Sequence, residues 1–120
     1  MRGIKMQLGL RYLGKRILID VKLCRNIWQK FRGLMFRDRK NAPALYFDNF
    51  PGGIHSFFVF FTFLAIWIDE KNKILSVRKI YPFNPCILPP KNSFRLLEIP
   101  INAKYSKVVN SLVGKTKRFK

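Results

Sequence analysis

Hydrophobic and polar residues alternate along much of this chain with the two-residue period of β-strands. Ile17, Ile19, Val21 and Leu23 fall on one side with Asp20 and Lys22 opposite, which predicts a half-buried strand. Ile4, Met6 and Leu8 alternate more weakly ahead of the turn signal Gly14-Lys15 and predict an edge strand. Further strands are expected over 44–47, 73–80 and 93–99. Between them lies the most apolar stretch, residues 56–68, thirteen positions without a charge and with five phenylalanines. Both of its alternating sets are apolar, Phe57/Val59/Phe61/Phe63 and Phe58/Phe60/Leu64/Ile66, so buried central strands covered on both faces are expected. The polar run Asp69-Glu70-Lys71-Asn72 has hairpin length.

The period changes twice. Ile27, Trp28, Phe31, Leu34 and Met35 recur at helical spacing, with Asn26 and Gln29 suiting a capping box and Gly33 a stop, which predicts a helix at about 27–32. Tyr105, Val108, Val109 and Leu112 predict a second helix, capped at Gly114. Pro82, Pro85, Pro89 and Pro90 make 81–91 an irregular connection, because no ladder tolerates so many missing donors. The expectation is a mainly-β, compact β-sandwich or barrel-like single domain over residues 1–120, with two short helices.

Charge changes the picture. Lys and Arg number 24 against 6 Asp and Glu, a net +18, with twelve cations before Asn41, twelve after Glu70 and none between. An electropositive surface around an uncharged core follows, suited to nucleic acid or acidic protein. An A+T-biased genome would produce the same Lys-, Asn-, Ile- and Phe-rich composition, so charge alone leaves dedicated binding and compositional bias both open. Cys24 and Cys86 are too few for a disulfide framework and form no Cys-x-x-Cys pair. No apolar run of signal-peptide length occupies the first twenty positions, and thirteen apolar residues are too few for a spanning helix, which needs about twenty. A cytoplasmic protein without a transmembrane segment is expected.

Three segments together resemble one family: Phe31-Arg32-Gly33-Leu34-Met35-Phe36-Arg37, Ile54-His55-Ser56-Phe57-Phe58 leading to Ile68-Asp69, and Leu96-Leu97-Glu98-Ile99-Pro100. The resemblance is to the archaeal and bacterial family called domain of unknown function 192. It spans about 17–114 and leaves a basic segment 1–16 and a tail 115–120 outside. It implies a compact β-sandwich or barrel-like fold with short helices, and it implies no reaction. Where such relatives carry an Arg, a Pro and an Asp after the His-x-Phe-Phe opening, this chain has Phe60, Thr62 and Leu64. The acid they carry after the last helix is Lys115 here.

Candidate chemistry is sparse. His55 is the only histidine, and sequence sets no nucleophile or orienting acid beside it, so it is expected to bond a backbone group. No Cys, His or acidic pair has metal-ligand spacing, and no cofactor or catalytic residue is expected. Arg32, Arg37, Arg39 and Lys40 are the candidate anion contacts, grouped around exposed amides of the Gly33 turn and assisted by Lys115, Lys117 and Arg118 in the tail. Glu98 is expected in a salt bridge with one of these arginines, and with His55 it forms the candidate polar site. Few aromatic residues are expected to be free to stack on bases. The leading expectation is a non-enzymatic binding module for nucleic acid or acidic protein; the alternatives are a small enzyme with a site near His55 and a membrane-surface protein.

Overall fold

The structure is a computed structural model and describes residues 4–25, 32–50 and 52–113. Among these residues six strands form one curled sheet: β1 Ile4–Tyr12, β2 Lys15–Cys24, β3 Ala44–Phe47, β4 Phe63–Ile68, β5 Ile74–Ile80 and β6 Arg95–Pro100. Their order is β1-β2-β3-β6-β4-β5, antiparallel throughout except for the β2–β3 pair. A 3₁₀ turn, Ala103–Tyr105, leads into the helix α1, Ser106–Val113. The mainly-β single domain, one sheet curled toward a barrel, agrees with the expected fold class. The first expected helix falls almost wholly outside the described residues.

Local chemistry explains the two tight hairpins. Leu13 and Gly14, both at positive φ (50° and 79°), join β1 to β2 in the two-residue turn that matches strand twist. At the β4–β5 end, Asp69 Oδ1 accepts the backbone N–H groups of Lys71 (2.8 Å) and Lys73 (2.9 Å), and Asn72 takes φ 66°. Those two donors, Lys73 first, hold the Asp69 carboxyl below the usual carboxylate range. An isolated parallel bridge between Arg11 and Lys73 brings the β1 edge of the sheet against the start of β5, so the sheet curls almost onto itself.

The core lies on both faces. Leu64, Ile66 and Ile68 of β4 join Ile17, Ile19, Val21, Leu97 and Ile99 in one cluster, closed by Tyr105, Val109 and Leu112 of the C-terminal turn and helix. Phe63, Ala65 and Trp67 face the opposite way, into a second cluster with Leu34, Phe47, Ile54, Val59, Ile87 and Leu96. Among the described residues the cover here is largely irregular chain. Burying each such large side chain is worth about 1.5–3 kcal/mol, which is what holds the irregular segments down.

The expectation for 56–68 holds for its second half only. Residues 56–62 are irregular, with Phe57, Phe58 and Phe60 exposed by 43%, 49% and 58%. The cause is Ser56, fully buried, whose hydroxyl donates to Tyr81 O (2.6 Å) and accepts from Asn84 N (2.6 Å). Ser56 N and O also bond Asn84 O and Phe83 N, so this segment is tied to the proline-rich loop instead of a ladder. Phe58, at φ 61°, then breaks the extended run.

Candidate functional site

All three segments that carry the family resemblance meet around one pocket. It holds about 350 Å³ and is lined by Arg32, Gly33, Leu34 and Met35 from the first, Ile54 and His55 from the second, and Glu98 from the third. Phe47, Phe50, Val59 and Phe63 complete largely apolar walls. β6 positions the acid: Glu98 pairs with Leu45 on one side and Ala65 on the other, on the sheet face of the second cluster. Gly33, at φ 48°, makes room for it. A Cβ at that position would stand 3.1 Å from Glu98 Oε1.

Glu98 is buried, and among the described residues Oε1 has no hydrogen-bond partner. Burial pushes its carboxyl up to about 8, with the charge of Arg37 opposing the rise. The expected salt bridge is therefore replaced by a carboxyl that is mostly protonated at neutral pH. Arg37 is half-buried and donates from Nε to Gly33 O at 3.1 Å. Desolvation first, and then the Arg32 charge, lower its pKa. His55 Nδ1 accepts the Phe57 N–H at 3.2 Å, the backbone bond anticipated for it.

The other expected anion contacts are arranged differently from the cradle read in the sequence. Three of the amides that follow Gly33 are taken: Met35 N bonds Arg32 O, Phe36 N bonds Phe58 O and Arg37 N bonds Leu34 O. Arg32 Nε donates to Met35 O at 3.4 Å. Arg39 and Lys40 are exposed in a turn tied to the C-terminal segment through Asn102 Nδ2, which donates to Arg39 O (2.7 Å) and Ala42 O (3.3 Å). Lys115, Lys117 and Arg118 lie outside the described residues. Among the described residues no group of three His, Cys, Asp or Glu side chains is placed to hold a metal ion. Cys24 is buried and Cys86 exposed, and neither is in a disulfide among the described residues.

Sequence reasoning missed two features. The first is a set of solvent-facing aromatics, Phe36, Phe57, Phe58, Phe60, Tyr81 and Phe83, against the expectation that few would be free. Phe36 stacks on Phe58 (5.1 Å between centroids) and Phe60 meets Phe83 edge-on (5.6 Å). Phe36, Phe58 and Phe83 all hold positive φ, at 60–63°. The second is a cationic stripe on the outer face of the β1–β2 hairpin. Lys5 stands directly opposite Lys22, and Arg11 opposite Arg16, with Gln7 and Asp20 paired between them. Lys71 and Lys73 join Arg11 and Arg16 around one cleft at the sheet seam, and Lys104 joins Lys5 and Lys22 around another at the far end. The alternation of polar residues in 4–22 signalled an outer face; the register that opposes like charges was not legible there.

No protein-family model and no curated protein matches the sequence. The fold is shared with two solved structures. One, a candidate transcription regulator from Sinorhizobium meliloti 1021, superposes with a TM-score of 0.74 at 18% identity over 91% of this chain and 89% of its own. The other, a protein of unknown function from Novosphingobium aromaticivorans DSM 12444, gives 0.70 at 14% identity over 88% of this chain and 79% of its own. Among the described residues no helix is long and apolar enough to cross a membrane.

Proposed function

We propose that this protein is a non-enzymatic binding module for an anionic partner, nucleic acid foremost, held along the outer face of the β1–β2 hairpin. The observation that carries the reading is the pairing of Lys5 with Lys22 and Arg11 with Arg16. Like charges directly across strands destabilise a sheet unless a counter-charge lies over them. The two pairs are six residues apart, roughly 20 Å along the strand, and Lys71, Lys73 and Lys104 extend the stripe at its ends. Most of the cations act as phosphate contacts, so binding is sequence-tolerant. A fold shared with a candidate transcription regulator is consistent with nucleic acid as the partner. Acidic protein is the other anionic partner this surface fits. Part of the same reading is that the chain is a divergent member of the domain of unknown function 192 family, acting in the cytoplasm. In support, the three resembling segments, far apart in sequence, line a single pocket.

The test is a salt titration of binding to short duplex and single-stranded nucleic acid. Contact with about five phosphates gives a slope of log affinity on log salt near −4 to −5. A Lys5/Arg11/Arg16/Lys22 to Gln variant flattens that slope by three or more, whereas an Arg37/Arg39/Lys40 variant with neutral side chains changes it less. No retention of the unmodified protein on heparin or nucleic acid at low salt would reduce the stripe to compositional bias.

The exposed aromatics favour a second reading, a membrane-surface protein. Bulky residues at positive φ cost about 1–3 kcal/mol each, and three phenylalanines bear that cost while facing solvent. Aromatic side chains beside cations suit an acidic lipid surface. Flotation with phosphatidylserine vesicles, compared with a Phe58→Ser/Phe60→Ser variant, separates this reading from the first.

A further inference from the structure

We infer that the pocket between the Gly33 turn, the His55 loop and β6 is a binding site for an uncharged, mainly apolar small molecule carrying a carboxamide-like edge, which docks against Glu98. The volume is the first ground. About 350 Å³ exceeds what one buried ring needs and falls within the range of small-molecule sites. The walls are the second: Leu34, Phe47, Phe50, Ile54, Val59 and Phe63 offer apolar and aromatic surface without a charge.

Glu98 is the third and decides the ligand's chemistry. A buried polar atom left without a partner costs on the order of 1–3 kcal/mol, and Oε1 is such an atom. It faces Gly33, on the pocket wall, with no side chain between them. A ligand that supplies the missing hydrogen bond recovers this cost on binding. Because the carboxyl is mostly protonated, Oε1 is either a donor or an acceptor according to which oxygen carries the proton. A carboxamide has an N–H and a C=O side by side and satisfies either arrangement. Charged ligands fit worse. An ammonium group would enter beside Arg32, and a carboxylate would surrender its hydration to reach a buried acid.

This inference does not depend on the nucleic-acid reading, since the hairpin stripe and the pocket share no residue. The test uses the full chain without nucleic acid, with benzamide as probe and toluene, benzoate and benzylamine as its apolar, anionic and cationic counterparts. Amide chemical shifts are followed by NMR. Benzamide shifts the Gly33, Gly53 and His55 amides saturably and binds at least about tenfold more tightly than any of the other three, the worth of one buried hydrogen bond. Glu98→Gln, which keeps shape and both hydrogen-bonding roles, holds benzamide within about threefold. Glu98→Leu loses the tenfold preference over toluene. Absence of saturable shifts, or equal binding of benzamide and toluene by the unmodified protein, overturns the proposal; that comparison needs no variant to fold.

Discussion

Glu98 shows how one residue's environment sets its chemistry. It sits in a strand between Leu45 and Ala65, and its carboxyl, ordinarily near 4.5, is pushed to about 8 by burial. An acid raised in this way stabilises the fold fully below its unfolded value, and that contribution is lost as pH rises through the folded one. Stability is therefore expected to fall between about pH 4.5 and pH 8, by an amount on the order of 3–5 kcal/mol. Glu98→Gln removes the ionisation and with it most of this slope. Urea denaturation at pH 5, 6.5 and 8 measures both proteins. Parallel pH profiles for the two would show that burial of this carboxyl is not what the slope reports.

At the scale of elements, the β1–β2 hairpin is cohesive on one face and repulsive on the other. Leu8, Leu10, Ile17, Ile19 and Val21 are buried, while Lys5/Lys22 and Arg11/Arg16 oppose each other outside. Replacing Lys22 and Arg16 by Glu turns both pairs into opposite-charge pairs. Each is expected to gain about 0.2–1 kcal/mol, seen as a raised thermal midpoint, while retention on heparin falls. A variant that gained no stability would mean the like charges are already relaxed by solvent, and their opposition would not mark a binding surface.

Across the whole molecule, a net charge of +18 on 120 residues makes the folded state self-repelling. Raising NaCl from about 0.02 to 0.2 M shortens the screening length to under about 10 Å and should raise the thermal midpoint. A short polyphosphate should do so at far lower concentration, because it binds the folded form and not merely the solvent around it. If salt and polyphosphate are equivalent at equal ionic strength, the surface has no site, only a charge. Scanning calorimetry distinguishes the two.

Strand and loop chemistry was legible along the chain because each rests on neighbours in sequence. The alternation of Ile17, Ile19 and Val21 needs only the pleat, and Asp69 closes its turn with amides two and four residues on. The two apolar phases of 63–68 likewise announced a strand buried on both sides. Residues 56–62 were misread as strand because Ser56 finds its partners at Tyr81 and Asn84, twenty-five and twenty-eight residues away, and no local pattern carries that information. The candidate site was legible in parts, as His55, Arg37 and Glu98, but not as a pocket. Only the curl of the sheet and the fold of the loops over it set Glu98 against the glycine at position 33, and register alone put Lys5 opposite Lys22. Local pattern determines which residues go inside; burial of a charge, and the meeting of distant ones, is a property of the tertiary arrangement.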